Sequence, residues 1–143
     1  MKIDKDRILT KLNELDSYLY ELSQVKPQNL NEYKSSILIK RSCERLLQIA
    51  IECVIDICNI IIKELRLGVP SDEDDIFEKL YNVGVISSNL VNILRGMKGF
   101  RNVLVHKYGV VNDELVFEFL RDRIEDFETF KREIIKFLER SNS

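Results

Sequence analysis

The residues best suited to acid–base chemistry lie close together near the middle of the C-terminal half. His106 is the only histidine among the 143 residues, so it alone has an unperturbed pKa near neutrality. Arg101 precedes it by five positions and Tyr108 follows it by two. An arginine can hold a phosphate through its planar fork of donors, and a histidine can move protons to or from a hydroxyl or a leaving oxygen. This spacing fits a phosphodiester site, in which Asn102 can donate a hydrogen bond to a non-bridging oxygen.

The same segment also has a plainer interpretation as the cationic C-terminus of a helix. His106 and Lys107 would interact favourably with the helix dipole, and Gly109 would follow the last turn. On a helix, Arg101 and His106 lie about 140° apart, so they would flank a groove rather than touch. On the residues alone the plainer interpretation is favoured, and the phosphodiester site is the alternative.

Several kinds of chemistry are excluded by what accompanies this histidine. A histidine cluster for metal catalysis and a zinc site of ordinary spacing need more than one histidine or a suitable set of cysteines. No nucleophile elbow accompanies His106, and the sequence has no glycine-rich phosphate loop. We therefore expect neither a metal nor an organic cofactor.

The charges are unevenly distributed along the chain. The net charge of −2 argues against a protein that coats nucleic acid by bulk electrostatics. Residues 79–112 nevertheless contain five Lys or Arg and no Asp or Glu, so they carry +5 and the rest carries −7. Such a positive element suits an anionic ligand, and Arg95, Lys98 and Lys107 could support its groove. The alternative is that this element forms ion pairs with acidic helices of its own bundle.

A polar stripe follows the most apolar predicted helix at steps of four and three residues, so its members share one face. Glu52 and Asp56 lie four apart and would repel each other mildly, which a facing cation would relieve. We expect these two acids near the basic helix, in a supporting groove. The stripe could instead be a solvated edge, which is the commoner case, or face a partner subunit. Its members are Arg41, Arg45, Gln48, Glu52, Asp56, Asn59 and Lys63.

Hydrophobic periodicity predicts helices throughout the chain, and no segment shows sustained alternation typical of a strand. The first helix has one apolar stripe, formed by Ile8, Leu12, Leu15, Leu19 and Leu22. The expected fold is all-α, an up-and-down bundle of four long helices plus one short helix, in a single domain spanning 1–143. The expected helices cover residues 4–25, residues 31–66, a short segment capped by Ser71 that ends before Gly84, a helix capped by Ser87 or Ser88 that runs towards Tyr108, and a last helix opened by Asn112.

Two glycines, Gly96 and Gly99, fall inside the helix that leads to the motif. Each costs roughly 1 kcal/mol relative to alanine. They share one face, which indicates close approach of another helix, a second subunit or a ligand backbone. Helix packing is the commonest of these.

Cysteine usage and hydropathy indicate a cytoplasmic protein with no membrane partner. Cys43, Cys53 and Cys58 are odd in number and form no CxxC pair, so a secreted disulfide scaffold is not expected. The N-terminus is charged and lacks the apolar region of a signal peptide. The most apolar stretch, residues 46–62, contains two acids and predicts a buried helix rather than a membrane span.

The segment Gly-Phe-Arg-Asn-x3-His-x-Tyr, residues 99–108, resembles the HEPN superfamily and specifically the HepT-like toxins. Arg-x4-His alone is a weak pattern, but the longer phrase in an all-α chain of this size is fairly specific. The segments 77–80 and 84–86, and the helix that carries Arg41, Glu44 and Glu52, are also similar to this family.

The resemblance implies a metal-independent ribonuclease that uses the RNA 2′-hydroxyl as nucleophile and leaves a cyclic phosphate. Arg101 and His106 would be catalytic, with Asn102 as the polar residue after the arginine. The family acts as a homodimer in which the two motifs meet at the subunit interface. RNA, such as tRNA or mRNA, is the implied substrate, and DNA is not.

The resemblance also implies a protein partner, an MNT-type nucleotidyltransferase antitoxin that can transfer AMP to the motif tyrosine, Tyr108 here. AMP on Tyr108 would add bulk and negative charge beside Arg101 and His106. The leading hypothesis is thus the toxin of a type VII-like toxin–antitoxin pair. One alternative is a non-catalytic, nucleotide-binding accessory subunit of a minimal nucleotidyltransferase. Another is a purely structural helical dimer in which the motif only ends a helix.

Overall fold

The computed structural model describes residues 3–105 and 111–141, and within them all regular structure is α-helical. The all-α prediction is confirmed. The described residues form seven helices: α1 Lys5–Val25, α2 Leu30–Ser35, α3 Ile37–Glu64, α4 Glu73–Asn82, α5 Ser88–Val105, α6 Asp113–Asp122 and α7 Glu125–Ser141.

Helix α3 is the centre of the bundle because it is apolar on most of its circumference. Residues such as Leu47, Ile57, Cys58 and Ile61 are fully buried in it, and each such aliphatic side chain contributes about 1.5–3 kcal/mol of burial free energy. Helices α1, α4 and α5 all pack against α3. Helix α5, which carries the first half of the motif, is therefore fixed to the core along its length.

Helix α1 has the expected apolar stripe facing α3. Ile8, Leu12, Leu15 and Leu22 are buried, in steps of four, three and seven residues that keep them on one face. Asp4 caps the helix by accepting a hydrogen bond from the Arg7 backbone N–H at 3.2 Å. The stripe predicted from the sequence is confirmed.

Two predicted helices are each divided in the structure. The expected helix at 31–66 breaks at Ser36, whose extended backbone (φ −126°, ψ 112°) lets its side chain cap α3. The expected last helix breaks at Arg123, between α6 and α7. Acidic residues crowd the first turn of α7, where the helix dipole favours negative charge and so favours a new helix start. The prediction of four long helices plus one short one was therefore wrong in its helix count.

The caps around the motif helix largely follow the sequence. Ser87 caps α5 by accepting from the Leu90 N–H at 3.1 Å, and Asn112 caps α6 by accepting from the Leu115 N–H at 3.0 Å. The expected cap at Ser71 was wrong, because Asp72 is the N-cap of α4. The Ser71 N–H instead donates to the Asp75 carboxylate at 2.9 Å, which ties the residue before the N-cap to the first turn of α4.

Within residues 3–105 and 111–141, none of the helices combines the length and the apolar character that a membrane crossing requires. The three cysteines are buried free thiols on α3.

Candidate functional site

The structure describes only the first part of the motif. Arg101 and Asn102 lie in the last turns of α5. His106, Lys107 and Tyr108 lie outside the described residues, so their predicted roles stay predictions.

Arg101 is held at the junction of α4 and α5. Its Nε donates to the Asn102 side-chain oxygen at 3.0 Å, and its Nη2 donates to the Glu73 carboxylate at the start of α4. The Arg101 side chain is only 14% exposed and that of Glu73 is 32% exposed. A charge-assisted hydrogen bond in such a half-buried setting fixes the guanidinium plane.

The Arg101–Glu73 pair is one of a row of ion pairs between α4 and α5. Lys98 Nζ lies 2.9 Å from an Asp74 carboxylate oxygen. Arg95 pairs with Glu78 and lies 3.9 Å from Asp74. The residue numbers rise along α4 as they fall along α5, so the two helices run antiparallel. We call this row of Glu73, Asp74 and Glu78 with Arg101, Lys98 and Arg95 the α4–α5 ladder.

The ladder decides between the two interpretations of the acid-free segment. Arg95, Lys98 and Arg101 pair with α4, and Lys79 lies 3.9 Å from Asp75 within α4. The fifth basic residue, Lys107, lies outside the described residues. Four of the five basic charges are thus compensated within the chain, as the bundle interpretation predicted. Of the two interpretations left open by the sequence, these contacts favour ion pairing within the bundle.

Glu52 and Asp56 contact residues outside α5. Asp56 is 59% exposed and lies 3.8 Å from Lys11 of α1. Glu52 accepts a hydrogen bond from Gln48 at 3.2 Å. Across the described chain, the ion pairs of the basic face of α5 are with α4, so the expectation that Glu52 and Asp56 oppose this face was wrong. On its described contacts, the polar stripe of α3 is a partly exposed edge beside α1.

The opposite side of α5 contains the two glycines and is open. A Cβ added to Gly96 or Gly99 would meet no described atom within 4 Å, so the expected packing of another helix of the same chain against them was wrong. Both glycines instead line a cavity of about 540 Å³ between α5 and the α6–α7 corner. We call this cavity the glycine groove.

The glycine groove has an apolar floor and an acidic rim. Phe100 of α5 and Phe119 of α6 stack at its base, with ring centroids 4.1 Å apart. Asp122 and Asp126 lie at the rim. Burial raises the pKa of the Asp126 carboxyl, with Arg123 opposing the shift. The hydrogen bond from Arg121 lowers the pKa of Asp122.

The cysteine thiols offer no alternative nucleophile or metal site. Burial raises the pKa of Cys43 and of Cys53 to about 11 and that of Cys58 to about 12. A thiol with such a pKa is almost fully protonated at neutral pH and is a weak ligand and nucleophile. Among residues 3–105 and 111–141, no group of three His, Cys, Asp or Glu side chains is placed to hold a metal ion.

Sequence reasoning missed Glu73 and Asp74 as neighbours of the motif, because it assigned them only to the first turn of a helix. The available clue was the contrast between two consecutive segments. Helix α4 carries acids at 73, 74, 75 and 78, and the segment from 79 to 112 carries none. Adjacent segments of opposite charge joined by a short turn favour an ion-paired helix hairpin.

The fold and the motif helix together define an all-α protein of the HEPN class. A family model described as ribonuclease HepT-like matches residues 8–134. Because this match covers most of the chain, the chain belongs to the HepT-like family.

Two characterised relatives span nearly the whole chain. The chain is 30% identical over 125 residues to the mRNA nuclease HepT of Shewanella oneidensis, covering 87% of this chain and 93% of that protein. It is 28% identical over 131 residues to the tRNA nuclease HepT of Aphanizomenon flos-aquae, covering 92% of this chain and 89% of that protein. Nuclease activity is therefore the named activity of two relatives that align with about nine tenths of this chain.

A solved structure supports the assignment of the fold. The chain is similar to a tri-AMPylated Shewanella oneidensis HEPN toxin in complex with an MNT antitoxin, with a TM-score of 0.81 and 29% identity. That match covers 90% of this chain and 96% of the toxin chain. At family level the chain is thus a toxin–antitoxin nuclease.

Proposed function

We propose that this chain is the toxin of a type VII-like toxin–antitoxin pair and a metal-independent endoribonuclease, with Arg101 and His106 as its catalytic residues. The observation that carries the proposal is the fixed guanidinium of Arg101 in the last turns of α5, five residues before the only histidine. Relatives named as mRNA and tRNA nucleases support the substrate class. We also propose that residues 1–143 form a single domain.

The proposed reaction needs only groups that the chain and the RNA supply. The 2′-oxygen of the substrate attacks the adjacent phosphorus and loses its proton, while the bond from phosphorus to the 5′-oxygen breaks and that oxygen gains a proton. His106 is suited to transferring one of these protons at neutral pH. Arg101 stabilises the charge that develops on the non-bridging oxygens. Asn102 orients Arg101 through the 3.0 Å hydrogen bond to its Nε.

We further propose that the active form is a homodimer. The resemblance to HEPN toxins supports this assembly, in which two motifs would face each other. The open side of α5 also supports it, because Gly96 and Gly99 leave room for close approach and Val103 beside them is 44% exposed.

We also propose an MNT-type nucleotidyltransferase as the partner and Tyr108 as the AMP acceptor. Support comes from the similar AMPylated toxin, which was solved in complex with such an antitoxin. The added phosphate would bring negative charge that competes for Arg101, and AMP would add bulk next to the proposed catalytic residues.

Cleavage assays with matched variants test the nuclease proposal. We expect His106→Ala and Arg101→Ala each to lower RNA cleavage by about 100-fold or more and to abolish growth inhibition. Arg132→Ala, which removes an exposed arginine of α7, serves as the control and should behave as the parent. A His106→Ala variant that cleaves RNA at the parental rate would contradict the mechanism. A parent that binds nucleotide and the antitoxin but cleaves no RNA would instead indicate the accessory-subunit alternative.

Intact mass after co-expression with the antitoxin tests the modification. We expect a gain of one or more AMP units that is absent from Tyr108→Phe, with Tyr81→Phe, an exposed tyrosine of α4, as the control. An unmodified mass with a neutralised toxin would show that the antitoxin acts by binding alone.

A further inference from the structure

Arg101 uses one edge of its guanidinium for contacts within the chain. Nε donates to Asn102 and Nη2 donates to Glu73. A guanidinium has five N–H donors in a fixed planar fork. In the described part of the chain, these two contacts leave Nη1 and the second Nη2 proton to address a ligand. Because the guanidinium is planar and rigid, the contacts through Nε and Nη2 also fix the direction in which Nη1 points.

Glu73 is itself held in place by its local structure. It is the first residue of α4 and directly follows the N-cap Asp72, which accepts from the Asp75 N–H at 2.7 Å. The contact from the Ser71 N–H to the Asp75 carboxylate closes this turn. The next rung of the ladder, Lys98 with Asp74 at 2.9 Å, fixes the register of α4 against α5. The backbone at Glu73 is therefore held in a defined position, from which its carboxylate reaches Arg101.

The two contacts of Arg101 differ in origin. Asn102 is its neighbour on the same helix, so it moves with α5. Glu73 lies 28 residues earlier and belongs to a different helix. Among the described contacts, the one with Glu73 therefore ties the guanidinium to a second helix and limits the rotation of the Arg101 side chain.

We propose that Glu73 is a positioning residue for Arg101, fixing the guanidinium so that its remaining donors meet the scissile phosphate. This inference rests on the proposed nuclease function. Glu73 touches neither substrate nor reacting atoms, and it acts through Arg101 alone. Its carboxylate also lowers the local positive charge, which weakens RNA binding that does not seat a phosphate on the open edge.

The test is a kinetic comparison of Glu73 variants with a matched control from the same ladder. We expect Glu73→Ala to lower kcat by about 30-fold, since small misplacements of a catalytic group cost up to about 100-fold, with KM unchanged or lower. Glu73→Gln retains an acceptor and should lose less of kcat. Glu78→Gln, which removes the partner of Arg95, is the control and should retain the parental kcat. Thermal unfolding of each variant shows whether the fold is intact.

A double-mutant cycle separates positioning from a general structural effect. If Glu73 acts through Arg101, Glu73→Ala lowers cleavage in the parent and has no further effect in the Arg101→Ala background. An equal loss in both backgrounds, or a Glu73→Ala variant as active as the parent, would overturn the assignment while leaving the nuclease in place. A parent without RNA cleavage would overturn the nuclease proposal and this assignment together.

Discussion

On one side of α5, Arg95, Lys98 and Arg101 are paired with acids of α4, whereas on the other side Gly96 and Gly99 face open space. The first side has its charges compensated within one chain. The second has an apolar floor, a cavity of about 540 Å³ and no described atom against its glycines. Changes to the ladder should therefore alter the stability of the fold and the orientation of Arg101. Changes to the glycine groove should appear mainly in association.

Charge reversal provides the largest expected contrast between the two sides. Asp74→Lys should lower the free energy of unfolding by about 2 kcal/mol, because it removes a pair with Lys98 and adds repulsion from Lys98 and Arg95. Glu118→Lys, the same change at the rim of the groove, should change it by less than about 0.5 kcal/mol. Urea unfolding measures both. Equal losses of unfolding free energy in the two variants would show that the ladder contributes no more to stability than ordinary surface charges do.

Replacing the glycines of the groove with alanine should have a smaller effect on stability, and the effect should have the opposite sign. Gly96→Ala and Gly99→Ala should each raise the free energy of unfolding by about 0.5–1 kcal/mol, since the new Cβ meets open space and alanine favours the helix. Gly84→Ala is the control and should be destabilising, because Gly84 has φ +81°.

The glycine variants are measured by urea unfolding at two protein concentrations, with sedimentation to follow association. A folded alanine variant that no longer associates would place the second subunit on this face. Destabilisation at low protein concentration would contradict an open groove.

The smallest expected effect is a pH dependence at the rim of the groove. Burial raises the pKa of Asp126, so the folded chain binds this proton more tightly than the unfolded chain. Its contribution to stability is present at low pH and is lost as the pH rises through the raised pKa. Asp126→Asn should therefore flatten part of the fall in stability that occurs just above the ordinary Asp range.

Asp122→Asn is the matched control for this titration. The hydrogen bond from Arg121 lowers the pKa of Asp122, so its contribution is present above the ordinary Asp range and is lost as the pH falls. The two substitutions should thus change the pH profile in opposite directions. Urea midpoints across the acid range measure both, and parallel profiles would contradict the assigned shifts.

The sequence predicted those features that depend on local chemistry. The apolar stripe of α1 and the caps at Ser87 and Asn112 follow from residue type and spacing. The breaks at Ser36 and Arg123 did not, because the apolar periodicity continues across both positions and only the backbone changes direction. Helix counting from apolar periodicity therefore merges two helices where neither glycine nor proline separates them.

The candidate site was predictable in its residue types and less so in its partners. Arg101 and Asn102 are where the motif put them, on the last turns of α5. The acid opposite Arg101 was not predicted, because the charge pattern placed Glu52 and Asp56 near the basic helix and the partner in the structure is Glu73. The packing of α4 against α5 places Glu73 beside Arg101, and this packing depends on the tertiary arrangement of the whole bundle.

The most direct test of the account is the chemistry of the cut RNA end. Purified parent protein is incubated with RNA and EDTA, and the upstream fragment is analysed by mass spectrometry, with His106→Ala as the blank. We predict a 2′,3′-cyclic phosphate, and loss of that cut when a single 2′-deoxynucleotide replaces the residue before it. Cleavage that persists across the deoxy position, or that requires a divalent metal, would contradict the account.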